Sequence, residues 1–161
     1  MDIVIRLAIP GDAEAIASVL LQSFSSYRPL YTPEGFTATV ITRGEVLSRM
    51  REGPIWVAVF EDMVVGTASA VKRGDSLYIR GMAVLPAKRG ARIGESLLGQ
   101  LQQFATQEGC GRLFLSTTPF LDRAIKLYET FGFRRTDEGP QDLFGTPLFT
   151  MEKILRMKDQ G

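Results

Sequence analysis

Residues 77–94 read LYIRGMAVLPAKRGARIG and contain the clearest structural pattern in the chain. Its first half is an apolar run that Pro86 stops, which is typical of a buried strand. Its second half holds glycines and basic residues, after which apolar side chains recur at three- and four-residue spacing as Ile93, Leu97, Leu101 and Phe104. That spacing predicts an amphipathic helix from about residue 93 to residue 108, ended by Gly109. The stretch therefore predicts a strand, a turn and a helix in succession.

The turn before this helix has the features of an anion site. The first amides of a helix have no partner within the helix, and the helix dipole adds positive potential there. Gly90 and Gly94 allow the backbone to approach a ligand closely. Lys88, Arg89 and Arg92 gather positive charge in a chain whose formal net charge is only +1. These features indicate a phosphate-bearing ligand, although an ordinary turn with exposed basic residues has the same composition.

Two motifs resemble those of a known family. Residues 89–94 resemble motif A of the GNAT superfamily of N-acetyltransferases, whose pattern is Arg/Gln-x-x-Gly-x-Gly/Ala. Arg89 and Gly94 match the ends of that pattern, whereas Arg92 replaces its first glycine. Residues 124–133 (AIKLYETFGF) are similar to the family's Ala-x-x-Leu-Tyr-x-x-x-Gly-Phe segment. The order of the predicted elements is also similar, over nearly the whole chain.

The resemblance implies one α/β domain of mixed α+β type over residues 1–155, with a short C-terminal tail at 156–161. Its central sheet is expected to be twisted and mostly antiparallel, flanked by helices, with two strands splayed apart at the cofactor site. The implied activity is transfer of an acetyl (acyl) group from acetyl-CoA to a primary amine of a small molecule, protein or peptide by direct attack. A non-catalytic acyl-CoA-binding sensor or partner-binding domain is the main alternative, because a fold alone does not fix a function. An NTPase is a weaker alternative, because the chain lacks a Walker A lysine.

The resemblance also assigns roles along the cofactor. In this family the strand before the loop offers backbone groups to the pantetheine arm, which here implies Met82, Ala83 and Val84. The loop amides and the helix start hold the pyrophosphate, and the corresponding residues are Arg89, Gly90, Ala91, Arg92, Ile93, Gly94 and Glu95. For Arg92 we expect the backbone conformation of a helix start and a guanidinium that contacts a phosphate. A solvated surface charge is the other interpretation of Arg92.

Tyr128 occupies the position of the family's tyrosine, whose role is to protonate or hydrogen-bond the departing coenzyme A thiolate. A phenol with a pKa of about 10 can donate to a sulfur anion at neutral pH. Without the motif, a half-buried aromatic residue on an amphipathic helix is the simpler interpretation. Many members carry an asparagine where this chain has Leu121, which we expect to pack rather than to bind. Asp12 and Asp122 are each expected to cap a helix.

The rest of the chain predicts alternating elements. We expect further strands at residues 3–9, 55–60, 64–71, 113–117, 133–136 and 148–154, and further helices near 13–24, 45–51 and 122–130. Residues 25–39 read as a loop or a broken helix, and residues 137–147 as turn-rich. The apolar runs 55–60 and 64–71 predict a hairpin buried on both faces, in which Gly66 weakens the strand or marks a bulge.

Composition excludes several kinds of chemistry. The chain has 161 residues, which suits one compact domain, and its only cysteine excludes an intramolecular disulfide. It has no histidine, which removes Ser-His-Asp and Cys-His catalysis and the usual zinc sites. We expect no metal, no nucleic-acid partner and no membrane partner. Residues 1–6 show no secretory signal, so we expect a cytoplasmic protein.

The sequence leaves three features open. The general base is a carboxylate, a water chain or bulk solvent, and no sequence feature selects among Glu34, Glu45 and Glu61. The acceptor amine is unknown, although Tyr27, Tyr31, Phe36 and residues 141–147 fall in the regions that set acceptor specificity in such folds. These aromatic residues equally suit a core that fixes a long loop. Homodimer formation is also left open.

Overall fold

The computed structural model describes residues 2–155, and helices and strands alternate along this range. The strands are β1 (Val4–Leu7), β2 (Ile55–Phe60), β3 (Met63–Arg73), β4 (Ser76–Val84), β5 (Arg112–Thr117), β6 (Arg134–Thr136), β7 (Asp142–Leu143), β8 (Thr146–Pro147) and β9 (Phe149–Ile154). The helices are α1 (Ala13–Phe24), α2 (Pro33–Thr39), α3 (Arg43–Met50), α4 (Ile93–Gln107) and α5 (Asp122–Phe131). A 3-10 turn at Ser25–Leu30 precedes α2, so residues 25–39 are a broken helix. The predicted tail at 156–161 lies outside the described residues.

Seven strands form one sheet in the order β1-β2-β3-β4-β5-β9-β6. Every neighbouring pair is antiparallel except β4 and β5, which are parallel. This confirms the predicted mixed α/β domain with a mostly antiparallel sheet. Strands β7 and β8 form a separate hairpin in the stretch that the sequence predicts only as turn-rich. Within residues 2–155, none of the helices combines the length and the apolar character that crossing a membrane requires.

Helices cover both faces of the sheet. Trp56 and Ala58 of β2 belong to one buried cluster with the apolar face of α4. Ile55 and Val57, one residue out of phase, belong to a second cluster with α1 and α3. Successive side chains of a strand point to opposite faces, so a strand covered on both sides is continuously apolar. The prediction of a doubly buried hairpin is therefore confirmed.

Two bulges bend the sheet near the predicted cofactor loop. Ala58 pairs with Gly66 but Val59 pairs with Val64, so β3 carries one extra residue next to Gly66, as predicted. In β4, the partners of Thr67 and Ser69 are three residues apart, which places a second bulge around Gly81. Gly81 has a φ of +62°, a left-handed value that favours glycine. Bulges of this kind turn a strand away from its neighbour.

The bend opens a wedge between β4 and β5. These strands pair only at Ser76–Arg112, Leu77–Leu113 and Tyr78–Phe114. Beyond this point β4 continues on β3, while β5 continues on β9. The predicted splay of two strands is therefore confirmed, and its cause is the bulge at Gly81.

Neither predicted aspartate cap makes a side-chain bond to the start of its helix, although Asp12 does occupy the predicted N-cap position of α1. Asp12 precedes α1, but its carboxylate accepts hydrogen bonds from the Arg6 guanidinium at 2.8 and 3.1 Å and from the Ile9 amide at 2.8 Å. Two hydrogen bonds from a charged guanidinium are stronger than one from a neutral helix amide. The Asp12 carboxylate therefore binds Arg6 and does not cap α1. Asp122 is the first residue of α5, and Leu121 stands at the N-cap without a side-chain hydrogen bond.

Candidate active site

A cavity of about 360 Å³ lies at the open end of β4, between the following loop, the start of α4, α5 and the end of α1. Nine of the ten residues predicted to bind the cofactor line it, and Ala91 is the exception. The nine are Met82, Ala83, Val84, Arg89, Gly90, Arg92, Ile93, Gly94 and Glu95. Tyr128 lines it as well. Ala91 does not, because it is exposed and its amide donates to the Lys88 carbonyl at 3.4 Å.

The start of α4 presents free backbone donors to this cavity. The first helical bond there runs from the Ser96 amide to the Arg92 carbonyl, at 3.1 Å. Within residues 2–155 the amides of Ile93, Gly94 and Glu95 have no hydrogen-bond acceptor, as expected for the first turn of a helix. Three adjacent donors at the positive end of the helix dipole form an anion site.

Gly94 brings α4 directly onto α5. A Cβ atom at this position would lie 2.6 Å from Leu127 Cδ2, which is closer than real contacts allow. Gly90 has a different reason to be glycine: its φ is +94°, and a Cβ there would have no neighbour within 4 Å. Gly94 is therefore required for the close packing of α4 on α5, and Gly90 for the backbone conformation of the loop.

Arg92 does not have the conformation expected from the sequence. We expected the backbone of a helix start, but its φ of +62° and ψ of 24° place it in the left-handed region. An L-residue there costs about 1–2 kcal/mol relative to the right-handed helix, whereas glycine adopts it freely. This explains why the resembled motif has glycine here. The guanidinium is exposed, with Nε 3.9 Å from a carboxylate oxygen of Glu95.

The cavity is strongly basic although the chain is almost neutral. Its lining residues include one acidic side chain, Glu95, and five basic ones: Lys88, Arg89, Arg92, Arg123 and Lys126. Sequence reasoning missed the two from α5. They stand in the second motif or just before it, but only the contact of α5 with Gly94 brings them to the loop.

Two of the basic residues are held by the protein itself. Lys88 Nζ lies 4.0 Å from the centre of the Phe60 ring, within range of a cation–π interaction. Arg89 Nη2 donates to the Ser23 carbonyl at 3.3 Å, which ties the loop to the end of α1. Their positions therefore do not depend on a ligand.

Along the end of β4, the backbone N–H and C=O groups point alternately toward β3 and toward the wedge. The Leu85 amide bonds the Val65 carbonyl of β3, so by the two-residue alternation of an antiparallel ladder Ala83 also faces β3. The backbone groups of Met82 and Val84 then face the wedge. The Val84 carbonyl already accepts a hydrogen bond from Ser23 Oγ at 2.9 Å. This leaves the Met82 groups and the Val84 amide for a ligand.

A smaller cavity, of about 220 Å³, lies between the splayed strands. It shares four lining residues with the larger cavity: Phe24, Met82, Leu121 and Tyr128. Two arginines, Arg49 and Arg80, also line it, and sequence reasoning missed both. Glu34, Glu45 and Glu61 line neither cavity. Leu121 packs at the junction with 9% of its surface exposed, in line with its expected packing role.

Tyr128 stands at the junction of the two cavities. Its side chain is buried, and its ring packs 5.8 Å from that of Phe133. Burial, with a smaller contribution from Tyr31, raises the pKa of Tyr128 to about 12. The phenol therefore stays protonated at neutral pH and can act only as a hydrogen-bond donor or a weak acid.

The predicted acceptor aromatics are mostly core residues. Tyr31 and Phe36 are buried, and their rings pack edge to face at 5.8 Å. Tyr31 also packs against Phe120 at 5.0 Å. The hairpin β7–β8 is fixed to the start of α2 by a bond from the Thr32 amide to Thr146 Oγ1 at 2.9 Å. These contacts support the interpretation of the aromatics as a core that fixes the loop, while Tyr31 and Leu143 also line the smaller cavity.

An anion site at the start of a helix, joined to a second cavity through a split sheet, suits a transferase that binds a phosphate-bearing donor on one side and an acceptor on the other. The sequence model of the Acetyltransferase (GNAT) family matches residues 18–133. Escherichia coli K12 has a similar protein, the uncharacterized N-acetyltransferase YjgM, which is 32% identical over 141 residues covering 83% of each chain. The chain therefore belongs to the GNAT family, and its activity is transfer of an acetyl group to an amine.

Solved structures share the fold. PaiA N-acetyltransferase from Thermoplasma acidophilum, crystallised with coenzyme A, has a TM-score of 0.82 at 19% identity, over 96% of this chain and 99% of that one. YncA from Salmonella typhimurium, crystallised with its cofactor acetyl-CoA, has a TM-score of 0.74 at 21% identity, over 98% and 96% of the two chains. At this level of identity the likeness concerns the fold.

Proposed function

We propose that this protein transfers the acetyl group of acetyl-CoA to the primary amine of a small molecule held between β4 and β5. The observation that carries the proposal is the junction of the two cavities at Met82 and Tyr128. A donor in the larger cavity presents its thioester there, and an acceptor in the smaller cavity reaches it from the other side. The solved relatives with coenzyme A and acetyl-CoA support the choice of donor.

The larger cavity fits the phosphates of acetyl-CoA. The free amides of Ile93, Gly94 and Glu95 suit its diphosphate, and the surrounding basic side chains balance its charge. The free backbone groups at Met82 and the Val84 amide suit the polar pantetheine arm. Bound there, acetyl-CoA supplies an acetyl group already activated as a thioester, and an amide donor of β4 polarises its carbonyl.

Tyr128 acts by donating a hydrogen bond to the departing sulfur. A full proton transfer from a phenol of pKa about 12 to a thiolate whose pKa is near 8.5 is uphill by roughly 5 kcal/mol. A hydrogen bond stabilises the developing thiolate without that cost. The thiolate then leaves as an anion or takes its proton from solvent.

The acceptor amine loses its proton to water. The residues that line the smaller cavity include no acidic side chain, so none of them can act as a carboxylate base. The positive charges of Arg49 and Arg80 favour the neutral form of a nearby amine, which is the nucleophilic form. The amine nitrogen then attacks the thioester carbon, the carbon–sulfur bond breaks, and the nitrogen gives up a second proton to water, which leaves the amide product and the coenzyme A thiolate.

Release of coenzyme A thiol from acetyl-CoA, measured across a panel of amines, tests the proposal. Tyr128→Phe removes only the hydroxyl and should lower kcat by about 100-fold while the Kd for acetyl-CoA changes less than twofold. Binding of acetyl-CoA without turnover on any amine would favour the sensor. Unchanged turnover in Tyr128→Phe would remove the role given to this residue.

The single domain over residues 1–155, the cytoplasmic location and the homodimer stay predictions.

A further inference from the structure

Two arginines line the smaller cavity, and its lining residues include no acidic side chain. Arg49 comes from the last turn of α3 and Arg80 from β4 at its bulge. A Cβ on Gly81 would lie 3.1 Å from Arg49 Nη1, so this guanidinium rests against the bulge itself. The cavity therefore holds two positive charges at the place where the strands part.

Neither guanidinium is fully paired by the protein. The Nη2 atom of Arg80 bonds the carboxylate of Glu52, whose side chain is 53% exposed, but Nε of Arg80 is buried and has no acceptor within residues 2–155. Arg49 forms no salt bridge with any described carboxylate. Burial, and then the charge of Arg80, lower the pKa of Arg49.

Such an arrangement is unfavourable unless a ligand completes it. A buried donor without a partner costs about 1–3 kcal/mol, and more when it is charged. Most buried polar atoms in native proteins are paired, so an exception calls for an explanation. Here one guanidinium nitrogen, Nε of Arg80, has no partner among the described residues, and two like charges line one cavity, so an anion bound between Arg49 and Arg80 would offset their repulsion.

We infer that the acceptor is a primary amine that also carries a carboxylate, such as a small amino acid, with the carboxylate bound by Arg49 and Arg80. This rests on the proposed function. The forked geometry of a guanidinium matches the two oxygens of a carboxylate, and the size of the cavity suits a small molecule. The carboxylate end binds the arginines, and the amine end is directed to the thioester.

Matched acceptor pairs test the inference. Each amino acid, for example alanine, β-alanine and aspartate, is compared with its amide, and O-phosphoethanolamine represents a phosphate in place of a carboxylate. For at least one pair the acid should have a kcat/KM at least tenfold above that of its amide. Equal kcat/KM values for the acids and their amides would overturn the inference that the acceptor carries a carboxylate. So would O-phosphoethanolamine as the best acceptor.

Variants of Arg49 test whether this residue causes the preference for the acid over its amide. Arg49→Gln should raise the KM for the acid by about 10- to 100-fold, with kcat changed much less and the amide unaffected. Arg49→Lys should recover part of the loss because it keeps the charge. Arg43→Gln, an exposed arginine on the same helix, is the control. Equal effects of Arg49→Gln and Arg43→Gln would contradict the inference.

Binding separates this inference from the proposed function. The Kd of each acid and its amide is measured with the protein saturated with coenzyme A. Tighter binding of the acid, lost in Arg49→Gln, would support the carboxylate site even if no amine were acetylated, a result that would count against the transferase alone. Equal binding of acid and amide would overturn the inference even if amines were acetylated.

Discussion

Replacing Arg92 by glycine or alanine separates backbone strain from side-chain contacts. The Arg92 side chain is 83% exposed and its carboxylate neighbour is 3.9 Å away, so its contacts contribute little to stability. The φ of +62° costs an L-residue about 1–2 kcal/mol, and the extra freedom of glycine in the unfolded chain offsets about 0.4–1 kcal/mol of that. Arg92→Ala should therefore match the parent, while Arg92→Gly should be more stable by about 1 kcal/mol.

Urea unfolding at pH 7 measures this difference directly. In a chain of this size, 1 kcal/mol also corresponds to a rise in Tm of about 2–4 °C. Arg92→Gly equal to or less stable than Arg92→Ala would refute the left-handed backbone and, with it, the explanation of why the motif has glycine here. The Kd for acetyl-CoA in the same variants tests the predicted phosphate contact, since both lack the guanidinium and should weaken binding equally.

Two further predictions concern the glycines of α4 and Tyr128. Gly94→Ala should weaken acetyl-CoA binding and stabilise the protein less than Gly99→Ala in urea unfolding, because its Cβ meets Leu127 Cδ2 at 2.6 Å and forces that side chain to shift. A Cβ at Gly99 in the same helix meets nothing, so Gly99→Ala should raise stability by up to about 1 kcal/mol. Equal responses of the two glycines would contradict the tight contact. The raised pKa of Tyr128 means that the unfolded chain ionises first, so stability falls as pH rises from 10 to 12. Between pH 9 and pH 11 the parent should lose about 1.3 kcal/mol more than Tyr128→Phe, and an equal loss would refute the burial of this hydroxyl.

The sequence predicted what depends on local pattern. The strand, loop and helix around residues 77–108 follow from apolar periodicity and from Pro86, and the bulge at Gly66 follows from a glycine in an apolar strand. The left-handed Arg92 was not predicted, because an arginine at a helix start gives no local sign of it. Asp12 occupies the predicted N-cap position, but its bond to Arg6 gives no local sign in the sequence because Arg6 belongs to the preceding strand.

The acceptor side depends on contacts between distant segments. Arg49 and Arg80 are 31 residues apart, and only the bulge at Gly81 and the packing of α3 bring them to one cavity. Thr32 and Thr146, which fix the hairpin β7–β8 to α2, are also far apart in the chain. No periodicity or short motif indicates such contacts, so the two arginines were not predictable from the sequence. Tyr31 and Leu143, which fall in the regions predicted for the acceptor, do line the smaller cavity.

A crystal structure of the protein with acetyl-CoA would show directly whether the start of α4 binds the diphosphate. Diphosphate oxygens should lie about 2.7–3.2 Å from the amide nitrogens of Ile93, Gly94 and Glu95, with the thioester sulfur beside the Tyr128 hydroxyl. A diphosphate bound away from the start of α4, or a thioester that does not reach the junction of the two cavities, would contradict this arrangement.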